Sequence, residues 1–244
     1  MKDNPNYGIL KKRGLIKIPV WNQSGNFSNL IEGVEVMQWI AMLTMLIDHI
    51  GYVFFPDGML WRTVGRIAFP IYVYALVQGH LHTSNKLKYG IRLFIIALIS
   101  QVPYQLAFAT TGFNVVGTLL IAVVVLNILD RISSKILSGA IILLFGIVMQ
   151  TLPFDYGAYG LILILLFRYL SSHELVLAHV FLNILYLFSN NSILQMYSII
   201  PTLIIVYGPL LWARLESVTV RKWVWRSFYP LHLSLIAIWK WVEW

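Results

Sequence analysis

The chain has 244 residues, a net charge of +8 at neutral pH and no cysteine; 59% of its residues are hydrophobic and only 11% charged. A soluble domain carries about 25% charged residues, so an ordinary water-soluble protein is excluded, and the lack of cysteine excludes disulfides, thiolate metal sites and cysteine-bound acyl intermediates. Apolar blocks recur from residue 36 to the end, which excludes a single anchor beside a soluble domain, and the lack of period-two alternation argues for helices over a transmembrane barrel.

Residues 1–34 read as a basic cytoplasmic tail, with its strongest run at Lys11-Lys12-Arg13 followed by Lys17. No cleavable signal peptide is expected, because the first apolar block begins late and no small-residue cleavage site follows it. Residues 35–244 read as one all-α polytopic transmembrane bundle. A span needs about 20 predominantly apolar residues. Nine blocks qualify, some of them short: 36–55, 64–82, 89–109, 114–130, 135–152, 157–171, 175–189, 194–213 and 226–243. The sixth and seventh are the weakest and could be short, tilted or re-entrant. Turn residues separate the blocks, among them Pro56-Asp57-Gly58, Thr111-Gly112, Ser133-Ser134, Ser171-Ser172 and Ser189-Asn190-Asn191.

With a cytoplasmic amino terminus, nine alternating spans put all of the 18 Lys and Arg inside except Arg62, Arg66 and Lys240, as the positive-inside rule favours. The positive charge therefore reads as membrane orientation and not as nucleic-acid binding. Lys240, beside Trp239, Trp241 and Trp244, reads as an interfacial anchor. Arg62 and Arg66 lie on the wrong side for topology and one helical turn apart, so both guanidinium groups face one way.

In the first block, Asp48 and His49 sit inside a span, where a central Asp costs ~2.5–3.5 kcal/mol and marks a functional candidate. Asp48 shares a helix face with Thr44 and Tyr52, whereas His49 points about 100° away. A purely structural alternative is an Asp48–Arg66 ion pair with His49 hydrogen-bonded to a neighbouring helix. The second block ends in His80 and His82, whose i, i+2 spacing argues against a metal site. Lys86, Lys88, Tyr89 and Arg92 follow as an inner basic rim, suited either to lipid headgroups or to a phosphate-bearing ligand. Gln101 and Gln105 share a face around Pro103, and Asn114 opens the fourth span. Asp155 and Tyr156 lead into a helix that Asp155 could cap. His179 and Asn183 share a face as candidate interhelical glue. His232 is a further imidazole in the last span.

Several of these segments form a recognisable pattern. Thr44-Met45-Leu46-Ile47-Asp48-His49-Ile50-Gly51 resembles the first-helix signature of the TraX family. The resemblance continues through Gly65-Arg66-Ile67-Ala68-Phe69-Pro70-Ile71 and Gly79-His80-Leu81-His82-Thr83-Ser84-Asn85, then Leu98-Ile99-Ser100-Gln101-Val102-Pro103-Tyr104 and Phe113-Asn114-Val115. It ends with Asp155-Tyr156-Gly157 and Phe228-Tyr229-Pro230-Leu231-His232-Leu233, so it covers about residues 36–243 in order. The basic tail and Trp21 fall outside the pattern.

The resemblance implies an acetyltransferase. The family's named activity is acetylation of the amino terminus of conjugative pilin. It is similar to a wider class of transmembrane acyltransferases, including the acyltransferase-three family and heparan-alpha-glucosaminide N-acetyltransferase, which draw on cytosolic acyl-CoA and use a histidine of an early helix. Carried over, it implies a multi-pass enzyme of the bacterial cytoplasmic membrane with acetyl-CoA or another acyl-CoA as donor and no metal. The acceptor would be a peptide amino terminus, an amino sugar or a hydroxyl-bearing molecule. His49 would be base or acyl carrier, with Asp48 and Arg66 beside it and Arg66 or Gln101 facing the oxyanion. Substrate- or donor-binding residues would be Arg62, His82, Asn85, Lys86, Lys88, Arg92, Gln101, Tyr104, Asn114, Asp155, Tyr156 and His232. The rival readings are a proton-coupled transporter using Asp48, His49 and Arg66 as a relay, disfavoured by the lack of an internal repeat, and a non-catalytic scaffold.

Overall fold

The computed structural model describes residues 27–208 and 220–243. Among them the elements are helical: α1 (Phe27–Phe54), α2 (Met59–Gly65), α3 (Ala68–His82), α4 (Lys86–Phe108), α5 (Val115–Leu129), α6 (Lys135–Thr151), α7 (Gly157–Tyr169), α8 (Ser172–Asn190), a 3-10 segment (Ile193–Ser198), α9 (Ile199–Tyr207) and α10 (Lys222–Glu243). Each of the nine apolar blocks is helical, including the weak sixth and seventh. The basic run, Trp21, the end of the eighth block and Trp244 lie outside the described residues.

The second block departs from the single rod read from hydropathy. Its first turns form α2, which folds back on α1 before the chain bends at Arg66–Ile67 and starts α3. Glycine permits that hairpin: a Cβ on Gly51 would lie 2.1 Å from Cβ of Trp61. Pro70 is tolerated in the first turn of α3, where its missing N–H would have no helical partner. Local caps punctuate the rest. Asn85, Asn114 and Ser134 accept backbone N–H groups at the starts of α4, α5 and α6.

Among the described residues three helical stretches are long and apolar enough to cross a bilayer: Met37–Phe54, Lys86–Phe108 and Ser172–Asn190. Helix α4 turns Leu87, Ile91, Phe94, Leu98 and Val102 outward, a stripe that lipid accommodates and water would not. Between helices in lipid, packing and hydrogen bonds do the holding. The packed interior centres on Phe69, Val73, Leu126, Leu161, Ile164 and Leu233. Beside it, Tyr159 Oη donates to Asn183 Oδ1 at 2.9 Å and meets His179 Nε2 at 3.1 Å, while His179 Nδ1 meets Thr202 Oγ1 at 2.8 Å. This ties α7, α8 and α9 together, the glue expected of His179 and Asn183.

At one end of the bundle, Asp130 gathers the ends of three other helices. It bonds His80 Nε2 at 3.2 Å and an Arg168 nitrogen at 3.2 Å, and pairs with Lys86.

Candidate active site

At the other end, α1 and α2 form a charged hairpin. Arg62 Nη1 donates to Asp48 Oδ1 at 2.8 Å, and Arg66 Nη2 lies 3.4 Å from Oδ2. Gly65 is what lets the carboxylate in, since a Cβ there would fall 2.2 Å from Asp48 Cγ. Arg66 is held by three partners: Nε donates to Arg62 O at 3.3 Å, Nη1 to Gln195 Oε1 at 3.3 Å and Nη2 to Asp48. Arg62 is looser, with its guanidinium 4.8 Å from the Tyr52 ring centre.

His49, on the adjacent face of α1, turns to α10. Its Nδ1 lies 2.8 Å from His232 Nε2, and His232 Nδ1 is 2.7 Å from the Phe228 carbonyl. Phe108 packs edge-on to His49 at 4.9 Å and Tyr229 at 6.4 Å. Both halves of the structural alternative, the ion pair and the interhelical histidine bond, are therefore present. What they open onto distinguishes the site.

Two cavities meet here. The smaller, about 290 Å³, is walled by Asp48, His49, Arg62, Arg66, Tyr104, Asp155 and Tyr156, with Tyr52 and Tyr186 adding further rings. The larger, about 630 Å³, runs past Tyr72, Tyr89 and Tyr229 to His82, Arg92, Lys222 and Arg226, toward the Asp130 end of the bundle. Met45, Phe69 and Val115 line both and stand at the boundary between them, called the junction below. The Tyr72 hydroxyl is buried with no hydrogen-bond partner among the described residues.

Asp155 reaches the smaller cavity through a short backbone bridge: Phe113 N donates to Pro153 O at 2.8 Å and Asp155 N to Phe113 O at 2.9 Å. It does not cap α7; the cap is Tyr156, in the left-handed region at φ 63°. The Asp155 carboxyl makes no ion pair among the described residues. Burial and the nearby Asp48 carboxylate push it up to about 6 against the pull of Arg66 and Arg62.

The structure thus brings His49, Asp48, Arg66, Arg62, Tyr104, Asp155 and Tyr156 to one cavity, and His82 and Arg92 to the other. His232 touches neither; it stands behind His49. Four other candidates are occupied locally. Asn85 and Asn114 are caps, Gln101 donates to Gly112 O at 2.7 Å and accepts from Asn114 Nδ2 at 2.7 Å, and Lys86 is paired with Asp130. Gln101 is therefore not available to an oxyanion at His49. Lys88 is exposed outside both cavities. Gln195, Tyr186 and the junction residues went unread in the sequence. Gln195 stands 129 positions from its partner Arg66, and no local spacing signals such a pair. Among the described residues no cluster could hold a metal.

The TraX family model, described as TraX protein, matches residues 33–240. A curated relative, the probable fimbrial assembly protein FimC, serogroup H1, of Dichelobacter nodosus, is 28% identical over 240 aligned residues, covering 81% of this chain and 91% of that protein. No solved structure matches.

Proposed function

The chain belongs to the TraX family, and we propose that it is a nine-span acyltransferase of the bacterial cytoplasmic membrane, with its amino terminus in the cytoplasm. It would take an acetyl or similar group from cytosolic acyl-CoA and pass it to an amine or hydroxyl acceptor. The observation that carries this reading is the contact of the two cavities at Met45, Phe69 and Val115. On the proposed topology the large cavity opens inward, where Arg92, Lys222 and Arg226 suit the donor's phosphates. Its Tyr72 hydroxyl suits the amides of the pantetheine arm. The small cavity lies toward the outer face and holds the acceptor beside His49. The name of the fimbrial relative is consistent with a pilin-like acceptor, whose amino terminus is an amine.

The reaction follows from the groups in place. The acceptor nitrogen or oxygen attacks the thioester carbonyl while His49 takes its proton, a contribution of typically 10²–10⁴-fold. Arg66 is held by three partners, which leaves Arg62 as the guanidinium free to face the oxyanion, a term worth about 2.7–4 kcal/mol in comparable sites. The intermediate collapses by breaking the C–S bond, and the sulfur leaves with the proton from His49. Thioester and acceptor become amide or ester and thiol.

Thiol release from acetyl-CoA by purified wild type and His49→Ala, with and without peptide amines, tests this. Release that His49→Ala loses, with its melting profile kept, is expected. Release unaffected by His49→Ala removes His49 from the mechanism. Uptake driven by a pH gradient with no acyl-CoA consumed supports the transporter instead.

A further inference from the structure

Two features of the histidine contact determine its direction. His232 Nδ1 sits 2.7 Å from the Phe228 carbonyl, which can only accept. A neutral His232 therefore carries its one proton on Nδ1 and offers a bare lone pair at Nε2. His49 Nδ1 lies 2.8 Å from that lone pair, so His49 must be the donor. The ring centres are 5.0 Å apart with planes 19° from parallel. That separation is close to the longest a 2.8 Å nitrogen contact allows, so the two nitrogens point at one another along the line between the rings. The neutral His49 then has its proton on Nδ1, and Nε2 is left unprotonated.

We infer that His232 is a positioning residue: through the Phe228 carbonyl it fixes the tautomer of His49, making Nε2 the atom that takes the acceptor's proton. This rests on the acyl-transfer reading of the small cavity. His232 lines neither cavity, so it acts through His49 and not on substrate. Its place is fixed by packing: Phe228 stacks on it at 4.5 Å and Tyr229 meets it edge-on at 5.5 Å. As His49 gains a proton at Nε2, its Nδ1–H bond to His232 becomes charge-assisted and strengthens, which favours the charged ring at the moment it forms. Orienting partners of this kind are worth about 10–100-fold in metal sites that use the same device.

The test separates tautomer from activity. The chain has 6 histidines, so nitrogen NMR of the full-length, ¹⁵N-histidine-labelled protein in detergent can resolve His49, assigned by its loss in His49→Ala. The wild type is expected to show Nδ1 protonated and Nε2 bare. In His232→Leu, which cannot accept, the His49 signals should move toward a tautomer mixture, and kcat should fall about 10–100-fold with KM for the donor little changed. His232→Gln, whose side-chain oxygen can accept from His49, should restore the tautomer and most of kcat. A wild-type His49 protonated on Nε2, or signals indifferent to His232→Leu, overturns the inference. Full transfer by His49→Ala likewise overturns it, whereas the expected tautomer, lost in His232→Leu, in a wild type that releases no thiol from any acyl-CoA would leave the dyad standing and refute the acyl-transfer reading alone.

Discussion

Replacing Gly65 with alanine tests whether the charged hairpin is built as described. The new methyl carbon would fall 2.2 Å from both Cγ and Oδ1 of Asp48 and 2.3 Å from its Cβ. Carbon atoms rest at about 3.5–4.0 Å, so α2 or the Asp48 side chain must shift by more than about 1 Å. Neither can do so freely. Asp48 is anchored on α1 and bonded to Arg62 at 2.8 Å, and α2 is pinned by Trp61 against Gly51. Overpacking of this kind costs about 1–3 kcal/mol, and a misplacement of about 1 Å next to the reacting groups costs on the order of 100-fold in rate. Gly139 and Gly146 in α6 supply the controls, because a Cβ at either meets nothing within 4 Å. There alanine should be neutral or stabilising by up to about 1 kcal/mol through helix propensity. Thermal unfolding in detergent and thiol release from acetyl-CoA are the two readouts. Gly65→Ala as stable and as active as Gly139→Ala would refute the reasoning.

Other outcomes follow from the same geometry. Asp130→Asn leaves the buried Arg168 without its carboxylate and should lower unfolding stability by about 3–5 kcal/mol, while transfer per folded molecule, read by thiol release, stays near wild type. Asp155 has its pKa raised to about 6 from 3.8, so its contribution to stability is fully present below the unfolded value and is lost as pH rises through 6. The melting temperature of Asp155→Asn should accordingly gain on wild type between about pH 4 and 6 and run parallel above it; a constant offset would contradict this. Val115→Phe fills the junction between the cavities, so donor binding measured by calorimetry should persist while transfer falls by at least about tenfold.

Legibility in the sequence depended on how far apart the interacting residues lie along the chain. The helices were readable because lipid demands long apolar runs, and the runs are continuous. Arg62 and Arg66 were readable as a pair because they break the charge asymmetry and stand one turn apart. Their bend at residue 66 was not, because a hairpin of α2 on α1 depends on Gly51 and Gly65 meeting Trp61 and Asp48 in space. The Asp48–Arg66 pair was anticipated, and the His49–His232 pair was not, since 183 residues separate its members and no periodicity links them. The opposite failure befell Asn85, Gln101 and Asn114. Their side-chain types suit ligands, but Asn85 and Asn114, short and placed at helix starts, find backbone partners first, and Gln101, deep in α4, is taken up by Gly112 and Asn114.

The same competition locates the chemistry. A polar group inside a bilayer is costly unless satisfied, so most of them are used up in holding the bundle. His179, Asn183 and Ser198 satisfy Tyr159. Asp130 satisfies His80, Lys86 and Arg168, and Asp48 with Gln195 satisfies Arg66. Around the small cavity several groups remain beside the tyrosine hydroxyls, three of them bearing or taking charge: the second nitrogen of His49, the spare donors of Arg62, and the Asp155 carboxyl, which makes no ion pair among the described residues. On the acyl-transfer reading proposed above the first two are the base and the oxyanion donor, and scaffolding alone gives no reason to leave these three facing a void.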